Sequence, residues 1–235
     1  MRGTLLNTAT VTVGAGLGLA AHNVIPPSYE PVVIEGLGLV VCLFGIKMFF
    51  SSKNPLISVA AIALGGLIGV WMGIAPALDI FAEWVRHRVG GGSSFNEGLI
   101  TSFVLFCVGP MTLLGCLQDG IEGKIEILSV KSALDGFASI FLAAALGWGV
   151  MVTALILLLF QGTLTLLARS LQKVAADEEL LGEESAVGGA MMLGIGIGLL
   201  GLKKMRVETY LPALVLAPAF TLLARQVRSQ RTASV

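Results

Sequence analysis

Charge is scarce in this sequence. Only 13% of its 235 residues are Asp, Glu, Lys or Arg, where soluble domains carry about a quarter, so a water-soluble fold would have nothing to clothe its surface. Histidine is limited to His22 and His87, and neither has a partner at metal-ligand or triad spacing. No phosphate-binding loop and no dinucleotide fingerprint occurs. The chain is therefore not expected to be an enzyme or a self-sufficient ATP-driven pump, no cofactor is expected, and no metal is assigned. Net charge is zero, without a basic stripe interleaved with aromatics, so no nucleic-acid partner is expected. Cys42, Cys107 and Cys116 all lie in apolar stretches and make an odd count, which suits buried packing thiols better than a disulfide frame.

What the sequence has instead is apolar residues in long runs. They make up 55% of the chain, mean hydropathy is +0.89, and the blocks run about 17 to 25 residues, the length that crosses a ~30 Å hydrocarbon core as helix. Blocks bounded by charges, Gly and Pro predict spans over residues 4–21, 31–50, 55–75, 96–117, 132–147, 150–171, 186–202 and 209–223. The expected fold is an all-α polytopic transmembrane bundle of about eight spans, with the lipid bilayer as its first partner. Met1-Arg2 and the apolar run to Ala21 imitate a signal peptide and are read as a retained first span. Two spans meet at Gly147-Trp148-Gly149 with almost no loop, and without a turn there every later orientation inverts.

Between the third and fourth spans, Leu78, Phe81, Trp84 and Val85 recur at helical spacing opposite Asp79, Glu83, Arg86 and Arg88, as in a helix lying in the membrane interface. Gly90-Gly91-Gly92-Ser93-Ser94 follows as a flexible connection. The acidic stretch 173–184 reads as a polar connection too short for a domain. Lys and Arg divide ten against five: Arg2, Lys47, Lys53, Lys124, Lys131, Arg169, Lys173, Arg225, Arg228 and Arg231 on the side of both termini, and Arg86, Arg88, Lys203, Lys204 and Arg206 on the other. Both termini are therefore predicted cytoplasmic. The last loop, with Lys203, Lys204 and Arg206, breaks the rule.

The chain also resembles itself. Residues 37–47 are similar to 193–203, each followed by a Pro-led span near Pro55 or Pro212, and Gly3-Thr4-Leu5 recurs as Gly162-Thr163-Leu164. One single integral membrane domain over 1–235 would then comprise a first repeat (1–75), the interfacial helix and Gly-rich linker (76–95), central spans (96–149) and a second repeat (150–225). Five helices separate the copies, so they would be inverted, a construction that places transporter sites at the repeat interface. The alternative is chance likeness between Gly-rich apolar helices.

Ionisable groups inside spans cost about 2.5–3.5 kcal/mol near the centre, so each needs a reason. Asn7, Asp119 and Asp135 come from three helices at similar depth in the cytoplasmic half, and such groups can converge on a cation. Ser132, Asp135 and Ser139 share one helical face, and Gln118 adjoins Asp119; hard cations favour oxygen ligands of this kind. Asp135 can alternatively be hydrated or paired with Lys131, Asp119 can belong to a helix-ending Asp-Gly turn, and Glu35, toward the opposite side, is either an outer gate residue or interfacial. Gln161 adds an uncharged polar group to the sixth span. Gly109-Pro110 predicts a kink or break in the fourth. Gly14/Gly18, Gly65/Gly69 and Gly194/Gly198 have the small-xxx-small spacing of close helix approach, implying a tight bundle or a homodimer through these faces. The function class that best accommodates these features is a secondary transporter or channel for a cation (sodium or proton) or small solute; a non-transporting membrane scaffold or assembly partner is the alternative.

Gly3-Thr4-Leu5-Leu6-Asn7, the blocks 106–109 and 118–120, Leu134-Asp135-Gly136-Phe137-Ala138-Ser139 and Leu211-Pro212-Ala213-Leu214 resemble the bacterial YqgA-type membrane proteins, a domain-of-unknown-function family (number 554). The likeness runs from about residue 3 to 220. It implies a bacterial inner-membrane protein, with a sodium channel or pump as the role suggested for such proteins, and it brings no catalytic residue.

Overall fold

The computed structural model describes residues 1–22, 28–90, 92–170 and 177–233, and all regular structure among them is helical. The helices are α1 (Arg2–His22), α2 (Glu30–Phe49), α3 (Pro55–Trp71), α4 (Ile74–Val89), α5 (Phe95–Cys107), α6 (Pro110–Ile121), α7 (Glu126–Leu146), α8 (Trp148–Leu166), α9 (Glu178–Leu199) and α10 (Leu211–Ala233), the last preceded by a 3-10 turn at Val207–Tyr210. Among the described residues, six helices are long and apolar enough to cross a membrane, and up to eight spans result if each of two bent pairs counts as one. Gly91 and residues 173–176, parts of the two predicted connections, lie outside the described residues.

The breaks follow from residue chemistry. Gly147 has φ +74°, ends α7 and opens α8, so the doubtful seam is a turn, made by a residue free to take a left-handed backbone. Pro110 opens α6 after Gly109 at φ +137°, and α5 meets α6 at 60°. Proline supplies no N–H to the Phe106 carbonyl four residues earlier; the Thr112 hydroxyl donates to that carbonyl instead, at 3.2 Å.

Several boundaries correct the sequence reading. The third span stops at Trp71, and α4 leaves it at 60°. The fifth begins at Glu126, and α10 runs past residue 223. Residues 178–184 are not a connection but the first turns of α9, because Asp177 caps that helix, accepting from the Glu179 and Leu180 N–H groups at 3.1 and 3.2 Å.

Glycine sets the packing. A methyl on Gly14 would lie 2.2 Å from the Gly136 carbonyl oxygen, and one on Gly18 would lie 2.2 Å from that of Ile140, so α1 and α7 touch backbone to backbone. Gly38 faces Gly196 and Gly45 faces Gly189 across α2 and α9, and Gly65 faces Ala213 across α3 and α10. The order of these contacts makes α1 and α7 parallel, and α2/α9 and α3/α10 antiparallel. Gly14, Gly18, Gly65, Gly69 and Gly194 thus close on partners within the chain. Two groups of helices result: α1, α5, α6, α7 and α8, and α2, α3, α9 and α10, touching chiefly where α2 meets α7 and α9 meets α5 and α6.

The basic loop that broke the charge rule is tied down by carboxylates. Lys204 bonds Glu97 at 2.7 Å, while Arg206 pairs with Asp79 on α4 and with buried Glu208.

Candidate functional site

The polar groups predicted to face inward do so along α1. Asn7 is fully buried and Asp135 is 6% exposed; the Asn7 amide Nδ2 donates to Asp135 Oδ2 at 3.0 Å and to Gln161 Oε1 at 3.3 Å. One helical turn toward the N-terminus, the Thr4 and Thr165 hydroxyls are 3.0 Å apart. At the start of α1 the Gly3 N–H donates to Asp119 at 2.9 Å, and the Met1 amine lies 2.8 Å from the same carboxylate. Helices α1, α6, α7 and α8 thus share a ladder of polar contacts that begins at one end of the bundle. Between the two alternatives for Asp135, the geometry shows the pair: Lys131, itself only 6% exposed, donates to both carboxylate oxygens at 2.9 and 2.7 Å.

Other predicted ligands are engaged elsewhere. Asp119 does not end its helix, which runs through Gly120 to Ile121. Gln118 accepts from the Ile127 N–H at 3.2 Å, so it caps the first turn of α7. Ser132 and Ser139 lie on the Asp135 face but donate to carbonyls: Ser132 to Leu128 at 2.6 Å, and Ser139 to Gly136 at 2.7 Å and Val11 at 3.3 Å. Only the Ser139 hydroxyl reaches another helix, α1, and neither hydroxyl converges on the carboxylate. Glu35 is exposed on α2, away from the ladder.

Four charges meet here in two pairs, Lys131 with Asp135 and the Met1 amine with Asp119. The arrangement is close to neutral, which lets it sit in a low-dielectric bundle. Two buried polar atoms have no partner, Asn7 Oδ1 and Gln161 Nε2. An acceptor and a donor left open on adjacent side chains suit a small polar guest or an ion with its water.

The sequence reading overlooked a further buried carboxylate. Glu183 has no exposed surface and is saturated: Oε1 accepts from the Lys53 and Asn54 N–H groups at 2.9 and 2.7 Å, and Oε2 from the Ser52 and Ser58 hydroxyls at 2.7 and 2.6 Å. It fastens the α2–α3 turn to α9. The available signal was Asp177 before Glu178-Glu179, a helix start that puts Glu183 on α9; which face it occupies follows from the packing against the α2–α3 turn.

A family model described as "Protein of unknown function (DUF554)" matches residues 2–222. The "Uncharacterized membrane protein YdfK" of Bacillus subtilis (strain 168) is 29% identical over 222 residues, covering 93% of this chain and 94% of its own. The "Uncharacterized protein YqgA" of Escherichia coli (strain K12) is 30% identical over 221 residues, covering 92% and 94%. No solved structure matches. A match across nearly the whole chain, agreeing with the apolar helices and with a relative named as a membrane protein, makes this chain a membrane protein of the DUF554 family.

Proposed function

We propose that the protein is a non-enzymatic secondary transporter or channel of the bacterial inner membrane for a cation or small solute, with Asn7, Lys131, Asp135 and Gln161 as its binding site. The observation that supports this most is an ion pair buried among amides from two further helices, beside two unpartnered polar atoms. Buried polar groups without partners are costly, and membrane helices retain ionisable residues chiefly where a path or site uses them. In this reading the transported cation competes with the Lys131 ammonium for the Asp135 carboxylate. The antiparallel packing of α2 on α9 and of α3 on α10, together with the crossing of α1 and α8 through Thr4–Thr165 and Asn7–Gln161, is what an inverted pair of three-helix units would produce.

The test is flux in liposomes against sodium, potassium, protons and small anionic metabolites, with wild type beside the Lys131→Met/Asp135→Asn double variant. The pair is removed together because an ammonium or a carboxylate left alone in the bundle would unfold it for unrelated reasons. Flux in wild type and none in an equally folded double variant supports the site. Absence of flux and of ligand-dependent stabilisation across the panel favours the scaffold.

A further inference from the structure

A different carboxylate lies where the two helix groups meet. Successive residues of α9 face three directions. Gly182 meets Ser51 in the α2–α3 turn, Gly189 meets Gly45 on α2, and Glu183 bonds the start of α3. Gly188 meets Val108 at the α5–α6 break, so close that a methyl there would lie 2.8 Å from the Val108 side chain. Glu184 is four residues before Gly188, which puts it on that third face, one turn along. The residue is partly buried, and its Oε2 is fully buried and has no hydrogen-bond partner.

No ion pair reaches Glu184 among the described residues. On its own helix, Glu183 is saturated by the α2–α3 turn. On α2, Lys47 is exposed, and Lys53 beyond it pairs with Glu178. On α5 and α6 the titratable group at the break is Cys107, while Asp119, further along, is held by α1. On α10, Arg225 is taken by Asp177 and Glu179. An ionised carboxylate with no counter-charge is strongly disfavoured in such a place. A metal cation would need several oxygen ligands, and no group of three or more His, Cys, Asp or Glu side chains suited to a metal is found among the described residues. A proton needs only the one oxygen.

We propose that Glu184 is a proton-binding site at the seam between the two helix groups, taking up and releasing a proton where α9 crosses the broken span. The surroundings permit exchange. The Met48 methyl lies near both Gly109 and Gly188, between the break and α9, and methionine is flexible enough to move aside. Gly109, at φ +137°, has no side chain in the way. The assignment does not depend on the Lys131–Asp135 site.

The experiment is labelling of the wild-type protein in liposomes with a hydrophobic carbodiimide, which reacts with carboxyl groups in the acid form, followed by mass mapping. Adducts at Glu184, absent from saturated Glu183 and falling severalfold as pH is raised, are expected. Infrared difference spectra between acid and alkaline pH should show a protonated-carboxyl band that Glu184→Gln lacks and the Lys131→Met/Asp135→Asn variant keeps. Labelling at Glu183 in place of Glu184, labelling that does not respond to pH, or a Glu184→Gln spectrum identical to wild type overturns the assignment. Neither readout uses flux, so a negative transport assay leaves this result standing and a positive one does not rescue it.

Discussion

Lys131 and Asp135 show why a buried residue is defined by its partner. The carboxylate alone looks like an open cation ligand; with the ammonium at 2.7 Å it is half of a neutral pair. Removing one half should therefore harm the fold more than removing both. Asp135→Asn, which leaves Lys131 charged and unpaired, is expected to destabilise by about 3–5 kcal/mol, whereas the Lys131→Met/Asp135→Asn double variant should lie near wild type. Thermal unfolding in one detergent, with all proteins at equal concentration, checks the ordering. Asp177 gives a residue-scale prediction in pH. The hydrogen bond from Arg225 holds its carboxyl down at about 2, helped by the Leu180 and Glu179 N–H groups. A carboxyl whose folded value is depressed contributes stability that is fully present above the ordinary Asp range near ~3.9 and is lost as pH falls through about 2. Between roughly pH 4 and 2, wild type should lose stability that Asp177→Asn never had, so the two acid-unfolding curves should converge; curves that stay parallel would show that the cap is not titrating.

Helix pairs in this molecule are specified by missing side chains. Gly14 and Gly16 are two residues apart on α1 but differ in surroundings. A methyl on Gly14 meets Ser139 and the Gly136 carbonyl at 2.1 and 2.2 Å, whereas on Gly16 the nearest atom is 3.7 Å away. Gly14→Ala should push α1 off α7 at a cost of about 1–3 kcal/mol or more, and Gly16→Ala should be neutral or slightly stabilising. Folded yield and unfolding temperature of the two variants decide this. The α5–α6 break rests on Gly109 and Pro110, with the Thr112 hydroxyl taking the carbonyl that proline leaves without a donor. Thr112→Val keeps the shape and removes that donor, at an expected cost of about 1–3 kcal/mol. Unfolding temperature again gives the measurement, and an unchanged value would mean that another donor serves the Phe106 carbonyl.

For the whole molecule the question is which end faces which compartment. Trp71, Trp84 and Trp148 lie at the end of α3, on α4 and at the start of α8, with Tyr29 before α2 and Tyr210 before α10. The helix directions bring these positions to one end of the bundle, where Trp71, Trp84, Trp148 and Tyr29 are exposed, as suits residues anchoring at a headgroup layer. The Asp119 and Lys131 sites belong to the opposite end. With the ten-to-five division of Lys and Arg, the expected topology puts the aromatic end outside and both chain termini in the cytoplasm. Leu202→Cys reports on it: Leu202 is 75% exposed on the α9–α10 connection, and Cys107 and Cys116 are buried. An impermeant thiol reagent added outside should label it; labelling only after the membrane is opened would reverse the orientation. Position 202 serves better than 204, since Lys204 is bonded to Glu97.

The sequence by itself makes most of the elements legible, though not all their boundaries. Apolar runs of bilayer length, Pro55 and Pro110 at helix starts, the Gly147 turn and the Gly109-Pro110 break are local consequences of hydropathy and backbone geometry, and neighbouring residues suffice to read them. It also marked Asn7 and Asp135 as inward-facing, because a carboxylate and an amide are excluded from lipid wherever the fold places them. Only the tertiary structure decided what those groups meet. That the Asn7 amide bridges Asp135 and Gln161, that the Gly3 N–H reaches Asp119, that Ser139 bonds the Val11 carbonyl and that Glu35 stays outside depend on helix rotation and on contacts between residues far apart in the chain, whereas the Lys131–Asp135 pair and the Ser132 bond to Leu128 each lie one turn apart on α7. Hydropathy does not encode that rotation. It is set by glycines at which backbones approach, and their partners, Gly136 for Gly14 or Gly189 for Gly45, become visible only once the helices are packed.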